Sequence, residues 1–168
     1  KINNILLIIT QTYDIINYIL RKECIPMNEL LKLNYNINAL DLISAGDVSE
    51  DVSNHLEKLH INPETIRRCS LALYEGEINM IIHANGGTVE VHVDDTKTIT
   101  VILKDTGHGI ENIEEAMQNG YTTIPKDSSM HKKGFGAGQG LSNMAKYSDY
   151  IDIQSTVDVG TTVTMIFK

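Results

Sequence analysis

The sequence predicts an α+β domain, a two-layer sandwich in which a mixed, mostly antiparallel sheet carries helices on one face. Three observations carry that prediction. About five short stretches alternate apolar and polar residues with the two-residue period of a strand. Most fall in neighbouring pairs joined by short turns, the pattern of hairpins rather than crossovers. Three or four helical stretches stand between them, with apolar residues recurring every three or four positions. At 168 residues the chain is the size of one domain and can bury its own core.

Residues 4–22 carry Ile5, Ile9, Tyr13, Ile16 and Leu20 at helical spacing, and Pro26 ends that pattern. A helical extension over residues 1–30, used for packing or dimerisation, is the expectation. In "LKLNYNI" Leu31, Leu33, Tyr35 and Ile37 share one face of a strand. "DVSE" reads as a capping box with Asp47 as the cap, and Val48, Val52, Leu56 and Leu59 follow at helical spacing. Asn62 and Pro63 open a second helix, expected to run to about Ala84 and to stop at Asn85–Gly86–Gly87. "TVEVHV" and "TITVILK" form a hairpin about Asp94 and Asp95. "ENIEEAMQN" reads as a short helix ended by Gly120. Residues 120–140 show no periodicity and form a loop long enough to suspect a function. A helix resumes over 141–148, and "YIDIQS" with "TTVTMIF" closes the chain as a last hairpin around Asp158 and Gly160.

A net charge of −8 argues against nucleic acid, whose binding needs a basic face to displace counterions. It suits a protein partner, or a small anion held at a local positive spot. Cys24 and Cys69 lie far apart and form no CxxC motif, so free core thiols in a reducing compartment are expected. The N-terminal apolar run, Ile5 to Ile9, is far shorter than the ~20 residues that span a bilayer. No membrane segment or cleavage site is read, and a cytoplasmic protein is expected. The first residue is Lys1 rather than Met, as in a trimmed chain.

Three constellations could carry chemistry. Along the long helix Arg68, Ala72, Glu75, Asn79 and His83 step down one side, with Ile66, Leu73, Met80 and Ile81 on the other. An Asn oxygen is a fitting Mg²⁺ ligand where phosphates and waters supply the rest, and a carboxylate one turn away can accept a proton. The alternative is a solvated polar face. Gly76 inside this helix costs about 1 kcal/mol relative to Ala, which points to close packing. His83 either faces a bound phosphate or meets the last carbonyls of its helix.

The second constellation is "DTGHGI". Asp105 at a strand's end presents an acceptor that matches the exocyclic amine of adenine but repels the oxygen of guanine. Gly107 and Gly109 would let backbone approach a flat ring closely. The alternative is an ordinary turn. The third is "GFGAGQGL", where glycines at 134, 136, 138 and 140 lead directly into a helix. Such a run of exposed N–H groups suits phosphate. Its spacing is neither the Rossmann pattern nor a P-loop. Lys126, His131, Lys132 and Lys133 add positive charge just upstream, unless that segment is a solvated loop.

Each signal is weak alone, but their order is specific. Glu75/Asn79, then "DTGHGI", then "GAGQGL" resembles the N box and two glycine boxes of the Bergerat-fold (GHKL) ATPases. That superfamily includes histidine kinases, type II topoisomerases and Hsp90. "GTTVTMIF" is similar to their adenine-closing strand, with Thr161 in the contacting position. "EGEINMIIHAN" looks most like the bacterial anti-sigma-factor serine/threonine kinases. The resemblance covers roughly 31–168 and excludes the first thirty residues. His108 stands where that family often has Pro.

The resemblance implies an ATP-binding domain over 31–168 with a lid over 111–140. Asp105 would receive the adenine amine, with Gly107, Gly109, Ile110, Leu141 and Thr161 about the ring. Asn79 would hold Mg²⁺, with His83 nearby. Gly134, Gly136, Gly138 and Gly140 with Lys132 or Lys133 would hold the phosphates. Glu75 would be the general base toward a Ser/Thr hydroxyl of a partner protein, an antagonist or a sigma factor, in a partner-switching circuit. Two rival readings stand beside it. One is a non-catalytic module in which ATP only orders the lid for docking. The other is the ATP-binding half of a sensor histidine kinase, disfavoured because the first histidine of the chain is His55.

Overall fold

A computed structural model describes residues 29–124, 127 and 136–168. In chain order the elements are β1 (Glu29–Ile37), α1 (Asp47–Lys58), α2 (Pro63–His83), β2 (Gly87–Asp94) and β3 (Ile99–Asp105). They continue with α3 (Ile113–Ala116), α4 (Gly140–Tyr147), β4 (Tyr150–Thr156) and β5 (Gly160–Phe167). The extension expected over residues 1–30 lies almost wholly outside the described residues.

The sheet order is β1-β2-β3-β5-β4, and all four pairings are antiparallel. The parallel component expected of a mixed sheet is therefore absent among the described residues. The physical reason lies in β3 and β5, which are far apart in sequence yet run in opposite directions side by side, with Leu103 opposite Val163 and Val101 opposite Met165. The long excursion between them carries α3 and α4 and returns through the β4–β5 hairpin.

One face of the sheet makes the core. Val89, Val91, Val93, Ile99, Val101, Met165 and Phe167 are fully buried there, against Val52, Leu56, Cys69, Ala72 and Leu73 of the helices. Burying each large aliphatic side chain contributes about 1.5–3 kcal/mol, which is why the two-residue and 3.6-residue patterns converge on a single layer. Burial pushes the Cys69 thiol up to about 12, so it is a packing group. Gly76 is explained by packing too: a Cβ there would lie 2.2 Å from Leu103 Cδ1, so α2 sits close on β3.

Two local expectations are corrected. Asp47 is not the cap of α1. Gly46, at φ +102°, holds that position, and no side chain of its own caps the helix. Instead Glu77, fully buried on α2, accepts from Ser49 N–H at 2.8 Å and from Gly46 N–H at 3.1 Å. The orphan donors of α1 are satisfied from a neighbouring helix. The second correction concerns α3, which is a single turn rather than the whole of 111–119. The chain leaves it to donate Gly120 N–H to the Gly138 carbonyl at 2.8 Å. Elsewhere Asn62 caps α2 through Glu64 N–H at 2.8 Å, with Pro63 in its first turn, as expected. No described helix is long and apolar enough to cross a membrane.

Candidate functional site

The face of α2 that steps through Arg68, Glu75 and Asn79 is partly a helix–helix interface. Arg68 donates to Tyr147 O at 3.0 Å and pairs with Asp149 at 3.1 Å, fixing the C-terminal end of α4. Burial pushes the Asp149 carboxyl up, but the Arg68 guanidinium and the Lys168 N–H outweigh it and hold it below its ordinary value. Ala72 is fully buried. One turn further, Glu75 Oε1 accepts from Asn143 Nδ2 at 2.7 Å. Asn79 stands against the start of α4, its Oδ1 3.0 Å from where a Cβ on Gly140 would be. A side chain there would press on the Asn79 amide.

Beyond this interface a cavity of about 620 Å³ opens between α2, the end of β3, the glycine segment before α4, and β5. Its α2 wall carries Glu75, Asn79 and His83. Asp105, Gly109, Ile110 and Thr161 line another side. Gly136, Gly138, Gly140 and Leu141 close it from the α4 side. Eleven residues singled out from separate parts of the sequence thus meet in one place. Lys132, Lys133 and Gly134, with Lys126 and His131, lie outside the described residues.

Gly107 is the exception. It does not line the cavity; a Cβ there would lie 2.9 Å from Ala84 Cα and Cβ. Its missing side chain makes room for the end of α2, not for a ligand. At Gly109, φ +72°, a Cβ would strike Thr156 O at 2.3 Å, although its backbone does face the cavity. The bareness of this turn thus serves the packing of the chain against itself.

Asp105 is held in one orientation. Its Oδ1 accepts from Gly107 N–H at 2.8 Å and from Thr161 N–H at 3.1 Å, while Oδ2 accepts no hydrogen bond among the described residues. Thr161 Oγ1 pairs with Ser155 Oγ at 2.8 Å, and Ser155 Oγ accepts from Ile110 N–H at 2.8 Å. β3, β4, β5 and the turn are thereby tied into one polar floor with an open carboxylate oxygen.

His83 lies at the far end of the α2 wall. Its Nδ1 pairs with Thr123 Oγ1 at 3.1 Å, joining α2 to the segment after α3. Burial, and secondarily the nearby His108, push its pKa below the ordinary value, so the ring is neutral near pH 7. Among the described residues no group of three His, Cys, Asp or Glu side chains could hold a metal ion. The donor set at Asn79 fits a cation that arrives with phosphate and water ligands rather than one held by protein alone.

Sequence reasoning missed Asn143, Ser155, Thr123 and Glu77. Asn143 carried a signal, standing three residues after Gly140 on the first turn of α4. Glu77 carried another, a carboxylate spaced between Leu73, Met80 and Ile81 on the apolar side of α2. Ser155 and Thr123 carried none, since their partners are distant in sequence.

A two-layer α/β domain whose cavity joins a pinned aspartate, an Asn–Glu helix face and a glycine segment at a helix start defines a nucleotide-binding class of protein. Residues 39–167 match the histidine kinase-like ATPase domain, and the chain belongs to that family. Among curated proteins it is 32% identical over 102 residues to the anti-sigma F factor of Caldanaerobacter subterraneus subsp. tengcongensis, covering 61% of this chain and 62% of that one. The anti-sigma F factor of Clostridium acetobutylicum is 31% identical over 118 residues, covering 68% of this chain and 78% of that one. The chain thus spans about 62% of the length of the first of these relatives. A chain of the SiaB–SiaC complex from Pseudomonas aeruginosa superposes with a TM-score of 0.54 at 14% identity, covering 94% of this chain and 99% of that one. That last similarity is one of fold alone.

Proposed function

We propose that this chain binds ATP with Mg²⁺ in the 620 Å³ cavity and acts as an anti-sigma-factor-like protein serine/threonine kinase. Its substrate would be a partner protein of a bacterial partner-switching circuit, an antagonist, with a sigma factor as a further partner. The observation that carries this reading is Asp105. One of its oxygens is pinned by two backbone N–H groups and the other is open, in the same cavity as Asn79 and Glu75. Support for the partner comes from the relatives named anti-sigma F factor and from the net charge of −8.

ATP would supply the phosphoryl group, and Mg²⁺ the positive charge that offsets its phosphates. The chain's own residues bind and orient. Asp105 would accept the adenine amino group, with Ile110, Leu141 and Thr161 about the ring. Asn79 would hold the cation. The N–H groups of Gly136, Gly138 and Gly140, at the start of α4, would face phosphate oxygens. Glu75 would take the proton of the attacking serine or threonine hydroxyl.

Calorimetry with ATP and GTP tests the pocket. Asp105→Ala should weaken ATP by about 10- to 100-fold, as expected for a lost hydrogen bond to a charged group. Equal affinity for wild type and variant would refute the assignment. Radiolabelled ATP with candidate antagonists tests the transfer, with label on serine or threonine expected only while Glu75 is intact. Partner capture that needs ATP but survives Glu75→Gln without any labelling would favour a binding module instead.

A further inference from the structure

Glu75 is not left to find its own orientation. Its Oε1 accepts from Asn143 Nδ2 at 2.7 Å, a distance at the strong end for an amide donor on a carboxylate oxygen. No described residue donates to Oε2. Both side chains line the cavity, and the bond crosses from α2 to α4 between residues 68 positions apart.

Asn143 is itself well placed. It stands on the first turn of α4, and its backbone N–H donates to Gln139 O at 2.8 Å. The next residue, Met144, is buried in the core. At its other end α4 is fixed by the Arg68 bond to Tyr147 O. The donor is therefore carried by a helix anchored independently of Glu75.

We infer that Asn143 is a positioning residue for the proposed base, fixing one oxygen of Glu75 so that the other is presented for proton transfer. An asparagine suits this task. It donates without titrating, and it binds the carboxylate without a formal charge that would blunt its basicity. A lysine or arginine here would form an ion pair that stabilises the ionised carboxylate and lowers its affinity for a proton. The role rests on the reading of Glu75 as base, and it implies that the glycine segment and the base are set in register by one helix.

The test uses the whole chain with Mg²⁺ and ATP, and reads nucleotide affinity, steady-state turnover with water or partner as acceptor, and melting temperature. Asn143→Leu should leave ATP affinity within about threefold while lowering kcat by about tenfold or more, a loss of orientation rather than of binding. Asn143→Asp keeps the shape but sets like charges together, and it should be slower still. Asn143→Gln, which keeps the donor, should recover part of the loss. In a Glu75→Gln background Asn143→Leu should add nothing, because the two act as one unit. If Glu75→Gln abolishes turnover while Asn143→Leu and Asn143→Asp leave it unchanged in folded protein, the positioning role falls and the base assignment stands. If Glu75→Gln is itself without effect, the base assignment falls and takes the positioning role with it.

Discussion

At the start of α1, backbone N–H groups point at a carboxylate that water does not reach. Glu77 accepts from Gly46 and Ser49, so one side chain does the work that a local cap would do at an exposed helix. Its removal leaves buried donors without partners, each worth about 1–3 kcal/mol. Glu77→Ala should therefore destabilise the fold by about 2 kcal/mol or more, read from urea unfolding. The pH dependence has a definite sign. Burial raises this carboxyl above its ordinary 4.5, against the pull of the Ser49 and Gly46 donors. A raised carboxyl favours the fold while protonated. The wild type's advantage over Glu77→Ala should be largest below pH 4.5 and should shrink as pH rises through the raised value. An advantage that grows with pH would contradict this. Glu75, Asn79 and Asp105, singled out by type and spacing, do meet in one cavity. Glu77 was not singled out, because a carboxylate on an apolar stripe says that it needs donors without saying from where.

Among elements, α2 does most to define the site. It presents Glu75 and Asn79 because its other side is held on β3 at the closeness that Gly76 allows. Gly76→Ala sets two effects against each other. Helix propensity gains about 1 kcal/mol. Overpacking against Leu103, whose Cδ1 would lie 2.2 Å from the new Cβ, costs about 1–3 kcal/mol. A net loss of about 1 kcal/mol, seen as a lower melting temperature, is the expected result; a more stable variant would mean that β3 yields easily. Among the described residues helix and strand identities were legible, since periodicity is a local property. Their ends were less so. The turn of α3 stops early because Gly120 pairs with Gly138, and α1 begins at a cap supplied from 31 residues away.

For the whole molecule, the cavity should couple ligand binding to stability. ATP at a hundred times its dissociation constant should add about 2.7 kcal/mol to folding. For a domain of this size that raises the melting temperature by about 5–10 °C. Asp105→Asn should lose about half of that shift or more, and GTP should give none in the wild type, both readable by thermal denaturation. A GTP shift equal to that of ATP would remove Asp105 as the reader of the base.

The sequence by itself determined the α+β class, every described strand and the order of three motifs, because alternation, helical spacing and glycine placement are written within short windows. Only the tertiary structure decided that the described strands all pair antiparallel, that Gly107 yields to Ala84, and that Asn143 meets Glu75. Those facts depend on which distant segments the common core draws together, and burial of apolar area constrains that choice without recording it in any one stretch of chain.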